Sequence, residues 1–210
     1  MDAQALQLRR DFPDALCNLV HSLQCVCDWR FRRDYFEKLE ATVRQQIANN
    51  EQPSVQPFHA IAYPVSGELA LEISRMYAEK VALNAISFNL PPFDHALAKR
   101  WRKGDRIRLG YVSSDFGNHP LSHLMGSVFG LHNRSDIQVF CYALSASDDS
   151  EWRQRIEKEA EHFRDVSSET VPSIAQIIHN DGIQILVNLN GYTKVRYPLA
   201  VMVQVFTCMY

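Results

Sequence analysis

The chain has 210 residues, of which 46% are hydrophobic and 22% charged, with 22 basic against 24 acidic side chains. That length suits one or two domains with a real core, and a formal net charge of -2 excludes a nucleic-acid binder working through bulk positive charge. No run of 18 uninterrupted apolar residues occurs, so no membrane span is expected, and Asp2, Arg9, Arg10, Asp11 and Asp14 make the first residues unlike a secretory signal. The five cysteines (17, 25, 27, 141, 208) form no metal-ligand CxxC pair. They are expected to be reduced thiols in a cytosolic or nuclear protein, where the sequon Asn133-Arg134-Ser135 stays unmodified.

Residues 1–90 read as helices. Leu16, Leu19, Val20, Leu23, Val26 and Cys27 fall on one stripe, Tyr35, Leu39, Val43 and Ile47 on a second that stops at Asn49-Asn50, and Leu69, Ile73, Met76, Tyr77 and Val81 on a third behind a cap at Ser66. Ala5 to Cys27 fits one helix of a tetratricopeptide unit, and the segment as a whole reads as tetratricopeptide-like hairpins without a complete 34-residue repeat. Residues 91–106 read as a linker that opens on Pro91-Pro92 and carries the basic run Lys99 to Lys103, a solvated connector or a nuclear localisation signal.

After residue 106 the pattern changes. Three strands are expected at Ile107–Ser113, Ile137–Leu144 and Ile183–Leu189. Between them lie helical segments: 120–131, a stripe of Trp152, Ile156, Ala160 and Phe163, and 172–181 closed by Gly182. The order β-α-β-αα-β predicts an α/β fold with right-handed crossovers and an incomplete Rossmann-like parallel sheet over 107–194. The apolar residues from 195 to 210 have no clean period.

Tyr111 to His123 follows the first strand and opens the first helix. Ligands of open α/β sheets bind at the carboxyl ends of strands, and the first turn of a helix offers N–H groups suited to a diphosphate. Pro120 suits the first helical turn, with Asn118 or His119 as cap, and Gly117 allows a tight turn. His119 can donate to an anion or move a proton. His123 either caps or packs. Asp115 either orients a histidine or accepts loop N–H bonds. Neither a GxGxxG loop nor a P-loop occurs, and His119 with His123 lack the further ligands a metal needs, so no metal and no cofactor is expected. Asn188 and Asn190, at the end of the third strand, either read polar ligand groups or form an Asx turn.

Three separated blocks carry a family resemblance: Arg106–Leu124 with its Gly-Tyr-Val-Ser-Ser-Asp-Phe-Gly-Asn-His-Pro core, Val139–Ser145, and Ile185–Lys194. They resemble the catalytic region of the O-linked N-acetylglucosamine transferases, and Pro53–Ala60 and Pro120–Ser127 are similar to its plant members. The resemblance runs from about Ala5 to Lys194. It implies the end of a tetratricopeptide array, most of the N-terminal lobe of a GT-B glycosyltransferase, and metal-free, inverting transfer of N-acetylglucosamine from the substrate UDP-GlcNAc to Ser or Thr of nuclear and cytoplasmic proteins. It implies that His119 lies beside the donor sugar and diphosphate, that Asp115 matches an aspartate proposed as a base, and that Asn118 lies near the acceptor backbone. Pro120, Leu121 and His123 belong to the same binding stretch, with Leu121 standing where animal members have Thr. His59 aligns with the second of two family histidines and Phe58 with the first. After Lys194 the family continues Gly-Ala-Arg-Asn-Glu, whereas this chain reads Val195-Arg196-Tyr197-Pro198-Leu199, so 195–210 is expected to be a non-family tail. Most UDP contacts in the family come from a second lobe, so this chain is expected to be nearly inactive alone. A helical interaction module able to self-associate, and a related plant protein O-fucosyltransferase, remain alternatives.

Overall fold

The computed structural model describes residues 2–9, 11–88, 93, 102 and 104–191. Most of the linker read at 91–106, including all of its basic run but Arg102, and the whole of 195–210 lie outside the described residues. The chain divides into two compact units, 1–80 and 81–210, with the boundary inside a helix.

The first unit is helical: α1 Asp2–Leu8, α2 Pro13–Cys25, α3 Arg32–Ala48, the short α4 Pro57–Ala60, and α5 Gly67–Ser87, which crosses the boundary. The single helix expected over Ala5–Cys27 is two. A residue before proline is pushed out of the helical region, and Phe12, at φ -138° and ψ 86°, breaks the run ahead of Pro13. The far end of that stripe also fails, because Val26 is exposed and Cys27 has φ 56°. Leu16, Cys17 and Val20 of α2 pack with Phe36, Leu39 and Val43 of α3 and with Leu69 and Ile73 of α5. Ser66 caps α5 as expected, its Oγ accepting the Leu69 N–H at 3.1 Å. Buried Gln46 is satisfied by Ser54, accepting its N–H at 3.0 Å and donating to its Oγ at 2.9 Å.

The second unit is a parallel sheet of four strands, β1 Ile107–Ser113, β2 Ile137–Ala143, β3 His162–Asp165 and β4 Ile185–Asn188, in the order β3-β2-β1-β4. Among the described residues, four helices cover it: α6 Pro120–Met125, α7 Val128–Leu131, α8 Glu151–Glu159 and α9 Val171–Asn180. Side chains alternate across the sheet. Val112, Tyr142 and Leu186 face α9 through Ile174 and Ile178, while Leu109, Tyr111, Val139 and Cys141 face Phe129 of α7 and Ile156 of α8. The expected three strands are corrected to four. Helix α8 stops at Glu159, because Ala160 turns extended at φ -68° and ψ 137°, and Phe163 pairs with Cys141 in β3 rather than extending the helix.

Strands β2 and β3 build outward from β1 on one side and β4 on the other. The chain therefore reverses direction between β1 and β4, which makes their carboxyl ends the topological switch point where sheets of this kind take ligands. Among the described residues, no helix is long and apolar enough to cross a membrane.

Candidate functional site

The loop 114–119 leaves β1 at the switch point and is fixed from several directions. The Ser122 hydroxyl, buried in the first turn of α6, accepts the Gly117 N–H at 3.2 Å and donates to the Asp115 carbonyl at 2.7 Å. The Asp148 carboxylate, arriving from the loop after β2, accepts the Asn118 N–H at 2.7 Å and the Ser150 hydroxyl at 2.7 Å. These bonds, the Asn118 N–H first, hold the Asp148 carboxyl at about 2. The Arg153 guanidinium, almost wholly buried, donates to the Phe116 carbonyl at 3.2 Å and to Asp165 at 2.8 Å. None of these three anchors was singled out from the sequence. Asp148-Asp149-Ser150 ahead of a helical stripe carries a capping pattern that points to Asp148, whereas nothing local marks Ser122 or Arg153.

The amides expected to meet an anion are already engaged. Leu121 N–H goes to the His119 ring, Ser122 and His123 N–H to the His119 carbonyl, and His119 N–H to the Gly117 carbonyl. Helix α6 has only six residues. A ligand at this mouth would therefore meet side chains rather than free amides of a helix terminus.

His119 is the cap of α6. Its Nδ1 accepts the Leu121 N–H at 3.2 Å, and since a backbone N–H can only donate, Nδ1 holds a lone pair. The neutral ring then carries its proton on Nε2. The ring is half-exposed, and Asp115 Oδ2 stands 3.8 Å from Nδ1, outside hydrogen-bond range. As placed, the imidazole offers a donor at Nε2.

Asn190 closes the site from the end of β4. Its Nδ2 donates to Asp115 Oδ2 at 2.6 Å and to Ser114 Oγ at 3.0 Å, and its Oδ1 accepts the Ser114 N–H at 2.8 Å. Asn188 forms the Asx turn that places it, its Oδ1 accepting Asn190 N–H at 2.9 Å and Gly191 N–H at 3.3 Å. Both asparagines thus address the chain itself. His123 packs, stacking on Trp152 at 4.0 Å between centroids, and its Nε2 lies 3.2 Å from Asn118 Oδ1, which orients the Asn118 amide. Pro120 and Leu121 form the first turn of α6. The structure therefore brings Asp115, Asn118, His119, His123 and Asn190 to one edge of the sheet. His59 belongs to the first unit, in α4, where its ring stacks on His21 at 4.4 Å. Burial, and then the His21 charge, lower its pKa. Among the described residues no group of three or more His, Cys, Asp or Glu is placed to hold a metal ion.

The structure thus sets a histidine and a carboxylate at the switch point of a parallel α/β sheet, where sheets of this kind take ligands. The chain belongs to glycosyl transferase family 41, an enzymatic family whose profile matches residues 26–199 and so runs past Lys194 into the segment read as a tail. It is 62% identical over 179 residues to the probable UDP-N-acetylglucosamine–peptide N-acetylglucosaminyltransferase SEC of Arabidopsis thaliana, an alignment covering 84% of this chain and 18% of that protein. It is 44% identical over 178 residues to the UDP-N-acetylglucosamine–peptide N-acetylglucosaminyltransferase of Caenorhabditis elegans, covering 81% of this chain and 15% of the other. A Thermobaculum terrenum O-GlcNAc transferase mutant superposes with a TM-score of 0.46 at 21% identity, covering 97% of this chain and 44% of that one. This chain thus spans less than a fifth of the length of the plant and worm proteins.

Proposed function

We propose that this chain forms one wall of a protein O-N-acetylglucosamine transferase site. The donor is UDP-GlcNAc and the acceptor a Ser or Thr hydroxyl of a nuclear or cytoplasmic protein. The acceptor oxygen attacks the anomeric carbon from the face opposite the leaving group. The bond from that carbon to the phosphate oxygen breaks, UDP departs with the electron pair, and the hydroxyl proton is released, so configuration inverts without a metal. Negative charge grows on the departing diphosphate, and fixed donors aimed there lower the barrier. The observation that carries the reading is His119, capped through Nδ1 so that Nε2 keeps its proton as a donor on a half-exposed ring at the switch point. The high identity to a protein named for UDP-GlcNAc chemistry supports this donor over a fucosyl one, and the free thiols at Cys17, Cys25, Cys27 and Cys141 suit a reducing compartment. One wall leaves the diphosphate without its remaining donors, so the chain alone turns over almost nothing.

Two measurements test this. Titrating UDP-GlcNAc into the chain is expected to move the His119 ring resonances in NMR spectra, with and without EDTA. Resonances that stay still even under a large excess of UDP-GlcNAc, where the weak binding of a single wall is populated, refute the donor assignment. Radiolabelled UDP-GlcNAc with a peptide acceptor is expected to give background incorporation, and clear incorporation that His119→Ala abolishes refutes the single-wall part.

A further inference from the structure

Resting on that reading of the site, we infer that Asn190 is a positioning residue that holds the Asp115 carboxylate away from His119, so that His119 keeps its Nε2 proton available as a donor. The argument turns on one oxygen. Asp115 Oδ2, the atom facing His119 Nδ1 at 3.8 Å, is the same atom that accepts the Asn190 amide at 2.6 Å. The other oxygen, Oδ1, accepts the Ser114 hydroxyl at 2.9 Å. Asn190 is itself held, with 5% exposure, both ends of its amide engaged and its N–H on Asn188.

His119 Nδ1 has two possible partners, and they require opposite protonation. The Leu121 N–H needs a lone pair there, whereas Asp115 needs a proton there. A hydrogen bond to a carboxylate is stronger than one from a backbone amide, so an unrestrained Asp115 wins Nδ1, the proton moves from Nε2 to Nδ1, and the cap on α6 is lost. The ring would then present a lone pair at Nε2 to whatever lies in the mouth, the reverse of what a departing diphosphate requires. An oxygen with two lone pairs could take both donors, so Asn190 blocks that outcome by position, anchoring Oδ2 at 3.8 Å from Nδ1, beyond hydrogen-bond reach. It touches neither substrate nor reacting atom in this role, and works through the aspartate 75 residues earlier in the chain.

The test reads the tautomer directly from long-range nitrogen–proton NMR spectra of the His119 ring at neutral pH, in the absence of any sugar nucleotide. The wild-type chain is expected to show the Nε2–H form, together with a scalar coupling across the hydrogen bond from the Asn190 side-chain N–H to the Asp115 carboxyl carbon. In Asn190→Ala the Nδ1–H to Nε2–H ratio is expected to rise about tenfold, and exchange protection of the Leu121 amide to fall by a similar factor. Asn190→Asp keeps the acceptor for the Ser114 N–H but replaces the donor with a second carboxylate, and is expected to move the ratio the same way. A folded variant in which His119 remains Nε2–H overturns the inference. So does a wild-type chain lacking the coupling, a measurement that needs no variant. A purely structural role for Asn190 lowers the unfolding midpoint without moving the tautomer. Failure of UDP-GlcNAc to perturb His119 defeats the donor assignment while leaving the tautomer result standing, so the two failures are separable.

Discussion

Asp148 holds the loop after β1 from outside through bonds whose pH dependence can be worked out. The Asn118 N–H and the Ser150 hydroxyl pull its carboxyl from 3.8 down to about 2. The folded value lies below the unfolded one, so the stabilisation is complete above about 3.8 and disappears as pH falls through about 2. Asp148→Ala is expected to lower the urea midpoint at neutral pH, and the gap to wild type is expected to close across that acid window. Gly117→Ala attacks the same contact from the other side, since a Cβ there would stand 2.6 Å from Asp148 Oδ2. At this scale the sequence was legible where chemistry is local. A proline after a histidine at a strand end marks the cap that His119 provides. The Asn190 bond to Asp115 was not legible, because nothing within either residue's neighbourhood says which distant side chain will meet it.

Elements show the same division. Strand β1 was readable to the residue because Ile107, Leu109 and Tyr111 alternate with smaller or polar neighbours on a pleated surface. Strand β3 was not. Phe163 follows Trp152, Ile156 and Ala160 at helical spacing, and four residues give too short a run to reveal a period of two. What fixes β3 is tertiary: Arg153, on α8, bonds Asp165 at the end of β3, stacks over the Phe163 ring at 4.5 Å, and reaches the carbonyls of Phe116 and Ser145. One guanidinium thereby joins the ends of three strands. Arg153→Met keeps much of the volume but strands both carbonyls. It is expected to cost about 1–3 kcal/mol in urea unfolding and to raise amide exchange along 116–119.

Across the whole chain, composition and hydrophobic period are enough to separate a helical part from a parallel α/β part, because burying one stripe of a helix and burying both faces of a strand leave different patterns. They place the boundary less well, since α5 continues through Lys80 and Val81 without a break in its pattern. Each part nevertheless builds its own core. Ile73 lies in the cluster of Leu39, Val43 and Leu69, and Ile178 in that of Val112, Tyr142 and Leu186, with no member in common. Both side chains are fully buried. Truncating either to alanine removes buried surface and leaves a cavity, at about 2–5 kcal/mol each. Mutations that share no packing partner add, to within about 0.5 kcal/mol. The double variant Ile73→Ala, Ile178→Ala is therefore expected to lose the sum of the single losses in urea denaturation. Hydrogen exchange should assign the Ile73 loss to amides of α2, α3 and α5, and the Ile178 loss to α9 and the sheet. A coupling well above that margin would mean that the two clusters behave as one cooperative core, and the division of the molecule at α5 would then have to be abandoned.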